Sequence, residues 1–567
     1  MFSQLQREKL KRMQYRIIDG VSQPTVTAIW YFIIILFFFS LVLLPTIYVL
    51  INILFNLSAV NTYILSDPLR LNEIIDALYY SVIVSIIISV IDLAFGLPIA
   101  WTLVRKDFRF KSILNGIIEL PLAVPTAGLG FSVALFWGVT PDVALKPPFA
   151  LNLIQDALPI LVLFHFTTTF PYVVRSLAAI LEEIDITLEI AARTCGASRF
   201  TAARTITLPL FRSGVATAMV LSLAKSLSDT GGVTTLLATI GSLKRTGTVL
   251  TGDWKHAYQD AINQGTTPEP YLFPGMLFIS VLMILISLFL VLVAKILARK
   301  ARLPFNRVFP ALESRISEGS VPKARSIVSF GFLVIFVLIP SFFIGIYLFQ
   351  GFTIERFVSG NWGIFVQSIF FSVFVATAAT ILNVCLGVPM AILIARKNHR
   401  ASRILDIFVD IPYVVPSTAL GFSVGLFWTS QQLFPVNELF FVVMAHVSMT
   451  FPFIVRNTIG GLAELDTAHE EAARSLGARP IQVFRNVTLP VIKFSIIAGA
   501  IMSFTRSIGE TGATLAVSPF SITAPVFIVN LIKESNYFFA ALTTIILILI
   551  SSLLIFSLRT RVLRKKR

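Results

Sequence analysis

Glu470 to Pro490 reads EEAARSLGARPIQVFRNVTLP, and Glu189 to Pro209 reads EIAARTCGASRFTAARTITLP. Each segment lies between long apolar runs. Each is too polar to cross a bilayer and too regular for a mere linker. Glu470 through Leu476 is rich in helix formers, and Gly477 is a natural stop. Asp466 and Asp185 stand where a helix N-cap belongs, with acidic residues following. Pro209 and Pro490 suit the first turn of another helix. The pattern predicts a short helix, a Gly turn and a second short helix at a membrane surface, built twice.

The surroundings supply the membrane. Of 567 residues, 56% are hydrophobic, 13% are charged and 50 are Phe, and the mean hydropathy is +0.83. Runs of about 20 apolar residues read as spanning helices, beginning with WYFIIILFFFSLVLLPTIYVLINILF from Trp30. Continuous apolar runs exclude a β-barrel, whose strands alternate. The fold class is therefore an all-α polytopic membrane protein. The net charge of +16 does not indicate nucleic acid, because its Lys and Arg sit in short loops, where they mark the cytoplasmic side. Cys195 and Cys385 form no disulfide framework or metal pattern.

Extending the doubled segment outward reveals a repeat of the whole chain. An offset of 281 residues pairs Pro209 with Pro490, His165 with His446, Lys225 with Arg506, Asp229 with Glu510 and Gly231 with Gly512. Upstream, an offset of 291 pairs ELPLAVPTAGLGFSVALFW from Glu119 with DIPYVVPSTALGFSVGLFW from Asp410. The loop VTPDVALKPPFALN in the first half absorbs the difference. The reading gives about 12 transmembrane helices as two parallel six-helix repeats. The first repeat (1–298) has spans near 29–54, 78–104, 113–138, 156–178, 207–237 and 271–297. The second (327–567) has them near 327–350, 364–395, 404–428, 437–459, 489–517 and 535–558. Residues 1–28 are a cytoplasmic tail and 299–326 a cytoplasmic linker. An even number of spans keeps both repeats in one orientation and puts the doubled polar segment, both termini and the linker inside.

Glu-Ala-Ala, three residues, Gly, then Ile or Val-x-Leu-Pro resembles the signature of ABC importer permeases. Glu471, Ala472, Ala473 and Gly477 fit it fully. The first half keeps Ala191, Ala192 and Gly196, has Ile190 where the Glu belongs, and aligns Glu189 with Glu470. In that family the segment is the coupling helix, here about 183–200 and 464–481, which docks into a cytoplasmic ATPase. The resemblance implies the type I permease fold, two permease units fused in one chain, and an ATPase dimer with two clefts. It also implies an external solute-binding protein. The chain has no Gly-x-x-x-x-Gly-Lys-Ser/Thr phosphate loop, so ATP and magnesium belong to the partner, and no catalytic residue or bound cofactor is expected here.

Ionisable residues inside spans mark candidate function. KSLSDTGG holds Lys225, Ser228, Asp229 and Gly231; RSIGETGA holds Arg506, Glu510 and Gly512. Each cation and acid are i, i+4 neighbours, able to neutralise one another or to line a path for an anion. The glycines permit close approach or a helix break. Pro125 and Pro416 predict bent third spans that join the fifth spans in a gate. His165 and His446 read as buried groups bonded to a neighbouring helix, with no metal set. By resemblance, SIGETGATLAV is similar to sulfate and molybdate permeases, and SLSDTGG equally to iron(III) and thiamine permeases. An ion-driven secondary transporter is the alternative class, and a membrane enzyme a third. The doubled cytoplasmic motif disfavours the former, and the symmetry of the polar residues disfavours the latter. A small oxyanion is the expected substrate, delivered from outside across a prokaryotic plasma membrane.

Overall fold

A computed structural model describes residues 23–109, 111–143, 148–300, 309–317, 321–358, 360–396, 400–431, 438–518 and 523–564. Most of the expected cytoplasmic tail, part of the long first-half loop and part of the linker lie outside them. The first repeat contains α1 (Ala28–Phe55), α2 (Pro68–Arg105), α3 (Lys111–Glu119), α4 (Thr126–Trp137) and α5 (Ala157–Glu183). It continues through α6 (Ile186–Thr194), α7 (Arg199–Leu210), α8 (Arg212–Ser228), α9 (Gly231–Thr239), α10 (Gly247–Asn263) and α11 (Leu272–Lys300). A linker helix follows, α12 (Pro310–Ser317).

The second repeat retraces this path. It comprises α13 (Ile327–Gly351), α14 (Trp362–Arg396), α15 (Arg400–Val414), α16 (Ser417–Gln431), α17 (Glu438–Ala463) and α18 (Thr467–Ser475). Then come α19 (Pro480–Ile508), α20 (Gly512–Val517), α21 (Ala524–Lys533) and α22 (Tyr537–Arg564). Among the described residues, nine helices are long and apolar enough to cross a membrane, or twelve if each bent pair is one span.

The third spans are broken rather than kinked. The chain turns by 105° before α4 and by 108° before α16, at Pro125 and Pro416, whose rings cannot continue a helix. The fifth spans differ from expectation at both ends. They do not open at Leu-Pro: α19 runs unbroken from Pro480 through Pro490, and α7 enters the first-half span with a 69° bend. A π turn precedes each proline, Ala203–Thr207 and Phe484–Thr488. Proline has no N–H and its ring crowds the carbonyl four residues back, so the preceding turn widens.

The same device precedes Pro45 and Pro340 in the first spans, at Phe39–Leu43 and Val334–Leu338. There the two halves lock together. The carbonyls four residues before these prolines belong to Leu41 and Phe336. Ser448 Oγ on α17 donates to the Leu41 carbonyl (2.7 Å), and Thr167 Oγ1 on α5 donates to that of Phe336 (2.9 Å). Each first span thus lies on the opposite repeat, α1 against α14 and α16, α13 against α2 and α4. Helices α10 and α21, which the span count does not anticipate, also cross over. α10 packs on α16 and α20, and α21 on α4 and α9.

Candidate functional site

The fifth spans break again between α8 and α9 and between α19 and α20, directly before Gly231 and Gly512, where the sequence reading allows a break. The acids sit in these breaks. Lys225 Nζ lies 2.9 Å from Asp229 Oδ2, and Arg506 pairs with Glu510. The other oxygen of each acid accepts from the helix that follows, Asp229 from Gly232 N (3.3 Å) and Glu510 from Ala513 N (2.9 Å). Each carboxylate therefore neutralises a cation and caps a helix N-terminus at once. The chain crosses the break without orphaning a charge.

At the break the halves meet about a pseudo-twofold axis. A Cβ added to Gly231 would lie 2.3 Å from Thr511 Oγ1, and one added to Gly512 would lie 2.5 Å from Thr230 Oγ1. A side chain at either position would collide with the opposite threonine, and at Gly512 with the Ser417 hydroxyl as well. Ser417, following Pro416, donates its N–H to Ser228 Oγ (3.0 Å) and its hydroxyl to the Ser228 carbonyl (2.7 Å). At the matched place, Pro125 Cα lies 3.5 Å from where a Cβ on Gly509 would be. These contacts hold the two repeats together at the break.

Next to these contacts is a cleft lined by Lys225, Ser228, Tyr172, Pro412, Tyr413 and Arg506, among others. Both repeats contribute to it, and both cations reach it. An ammonium has three donors and a guanidinium five, so each cation has N–H groups beyond those its carboxylate takes.

His446 lies in α17 with Nδ1 2.7 Å from Ser507 Oγ and Nε2 2.9 Å from Thr514 Oγ1. It bridges α19 and α20, as a buried His bonded to a neighbour should. His165 is equally buried, but its Nδ1 has no hydrogen-bond partner among the described residues, and neither has the hydroxyl of Ser226, the counterpart of Ser507; Val233 stands where Thr514 meets the other ring nitrogen of His446.

At the far end stand the doubled polar segments. Asp185 and Asp466 cap α6 and α18 by accepting from Thr187 N and Ala468 N (2.9 Å each), and that bond holds the Asp185 carboxyl below the usual range. Gly196 and Gly477 end the helices at φ +91° and +85°, where L residues are strained. Bonds from Ala197 N to the Ala192 carbonyl and from Ala478 N to the Ala473 carbonyl close each turn.

Glu189 and Glu470 point inward. Glu189 Oε1 lies 3.0 Å from Arg105 Nε and accepts from Thr207 Oγ1 at 2.8 Å. Glu470 repeats this with Arg396 (3.2 Å) and Thr488 (2.8 Å). These acids tie each short helix to the end of the second span and the start of the fifth. Glu471, Ala472 and Leu476 face outward, Leu476 90% exposed. In the first half Ile186, Leu188 and Ile190 are exposed likewise. In the sequence reading Arg105 and Arg396 are only matched basic residues of cytoplasmic loops, and Thr207 and Thr488 carry no role. Their recurrence at the repeat offsets is the signal that marks them.

The sequence matches the family described as binding-protein-dependent transport system inner membrane component over residues 92–303 and 387–567. A molybdate/tungstate transport system permease protein of Pyrococcus furiosus is 34% identical over 221 residues, 39% of this chain and 86% of that protein. The sulfate transport system permease protein of Salmonella typhimurium is 33% identical over 200 residues, 33% of this chain and 72% of its own. A probable sulfate transport system permease protein of Chlorokybus atmophyticus is 31% identical over 218 residues, 35% of this chain and 76% of its own. Each aligns along most of its own length yet along well under half of this chain, as the internal repeat requires. With two matched stretches covering most of its length, this chain belongs to the binding-protein-dependent transport system inner membrane component family and is an ABC importer permease with two permease units fused in one multi-pass membrane protein.

Proposed function

We propose that this chain forms the whole membrane path of an ATP-driven importer for a small oxyanion of the sulfate, molybdate or tungstate type. The observation that carries the ATP-driven part is the paired tether, Arg105–Glu189–Thr207 and Arg396–Glu470–Thr488. It fixes a short helix to two spans by its inner face and leaves the outer face exposed, as a docking element needs. Two such elements suit an ATPase dimer, which carries the ATP and magnesium. Glu471, Ala472, Ala473 and Gly477, with Ala191, Ala192 and Gly196, form the docking surface. Glu189 and Glu470 transmit its movement to the fifth spans.

For the substrate, two matched cations on one cleft support an anion. An oxyanion accepts charge-assisted hydrogen bonds from Lys and Arg, and the relatives named above carry sulfate and molybdate/tungstate in their names. A solute-binding protein outside delivers the ion. The docking elements, the linker and both termini lie on the cytoplasmic side of the cell membrane, with repeats over 1–298 and 327–567.

The test is the mass of the complex purified gently from its native membrane. Two ATPase subunits per chain are expected. A chain that comes alone and moves solute on an ion gradient without ATP would replace this reading with a secondary transporter.

A further inference from the structure

Asp92 is fully buried in the middle of α2, and its counterpart in the second repeat, 291 residues on, is Asn383. The surroundings are otherwise duplicated. Asn383 Nδ2 donates to Thr450 Oγ1 (2.7 Å) and lies 3.4 Å from Ser503 Oγ. Asp92 Oδ2 lies 2.6 Å from Thr169 Oγ1 and 2.6 Å from Ser222 Oγ, the two matched hydroxyls. The remaining oxygens, Asp92 Oδ1 and Asn383 Oδ1, are both buried without a partner among the described residues. Asp92 Oδ2 thus takes the place of an amide nitrogen that donates.

Counting protons decides what it carries. A threonine hydroxyl has one proton to give. Thr450 gives its own to the His446 carbonyl (2.7 Å) and receives from Asn383. Thr169 stands 2.7 Å from the His165 carbonyl in the same way. If it donates there, the 2.6 Å contact to Asp92 needs a proton from Asp92. Ser222 then donates to the same Oδ2.

An ionised carboxylate would leave two oxygen atoms close together with one proton for two acceptors, a bare Oδ1, and a buried charge without a countercharge. Asp92 forms no ion pair among the described residues. Of the titratable groups on the helices packed against it, His165 on α5 reaches Thr169 only through its carbonyl. Lys225 on α8 is committed to Asp229. From α13 an apolar face arrives, Phe332 stacked on Phe95 at 3.7 Å. The contact of α10 is at Ser81, three turns away.

We propose that Asp92 is a proton-binding site, a neutral carboxylic acid at neutral pH whose O–H joins the second, fourth and fifth spans as the amide of Asn383 joins them in the other repeat. It is a positioning residue: α8 carries Lys225 to the cleft and α5 leads to the docking element.

The test is infrared difference spectroscopy on the full chain in lipid at neutral pH, parent against Asp92→Asn, with thermal unfolding of both. The parent should show the carbonyl band of a buried protonated acid, sensitive to deuterium and missing from the variant. The variant should melt within about 2 °C of the parent, since its amide can donate to Thr169 and, with that bond reversed, to Ser222, as Asn383 does toward Thr450 and Ser503. Asn383→Asp should fold and add a second band of the same kind. A parent without the acid band, or an Asp92→Asn chain that melts well below it, would overturn the proposal.

Discussion

At the scale of single residues, the two halves come closest at Gly231 and Gly512, the candidate gate residues. A methyl on either would sit 2.3 to 2.5 Å from the opposite threonine hydroxyl, far inside contact distance. Gly231→Ala is expected to fold, because the strain falls at one interface, and to prop the halves apart. The check is efflux of trapped molybdate from vesicles without ATP, which should rise severalfold over the parent. A variant as tight as the parent would place the gate elsewhere. Glu470 makes the other residue-level case. Glu470→Gln keeps the shape but removes the charge that meets Arg396, and losing a charge-assisted buried bond costs about 2 kcal/mol. Faster hydrogen exchange confined to α18 and weakened coupling of ATP hydrolysis to uptake are expected. Unchanged exchange would mean the tether does not hold the helix. Both residues were open to reading in different degrees. Gly512 stands out as glycine beside an intramembrane acid. Glu470 stands one place before the Glu-Ala-Ala motif, and its inward direction depends on Arg396, 74 positions away.

At the scale of elements, the Leu-Pro and Ile-Pro sites show what sequence resolves and what it leaves to packing. Proline at 45, 209, 340 and 490 is visible, and so is the disturbance it must cause. Whether the helix stops or widens into a π turn depends on a partner for the freed carbonyl. For the first spans that partner is a hydroxyl of the other repeat. Thr167→Val deletes one such donor and leaves the half-buried Phe336 carbonyl without it, at a cost of about 1 kcal/mol. The melting temperature should fall while the helix content stays constant; no fall would show the carbonyl is satisfied otherwise. The linker helix α12 makes a second element-level case. Glu313 accepts from Thr201 Oγ1 (2.5 Å) and from Phe309 N, and pairs with Arg204 (2.6 Å). The bond from Thr201, then that from Phe309 and the charge of Arg204, hold its carboxyl below the usual glutamate range. A depressed carboxyl stabilises the fold above its unfolded-state value and loses that contribution as pH falls through the folded value. The clamp on α7 should therefore be intact at neutral pH and release only in acid below the ordinary glutamate range. Protection of α7 from hydrogen exchange across that range checks it, with Glu313→Gln expected to lack the acid transition.

At the scale of the whole molecule, two units read clearly from the repeat offsets, but their interlocking does not. Nothing in the apolar runs says that α1 lies on α16 rather than on its own repeat, since a lipid-facing and a protein-facing leucine look alike in sequence. The fused chain makes that exchange intramolecular and gives each docking element a fixed relation to the shared cleft. Function at this scale requires that both elements work on one path. The most direct measurement is uptake of labelled molybdate, tungstate and sulfate into vesicles containing the complete complex, parent against the double variant Glu471→Ala, Gly477→Pro. The parent should accumulate at least one oxyanion only when ATP is supplied on the docking side, and the variant should hydrolyse ATP while accumulating none. Uptake by the variant at the parent's rate, or uptake by the parent that follows an ion gradient and ignores ATP, would contradict the account.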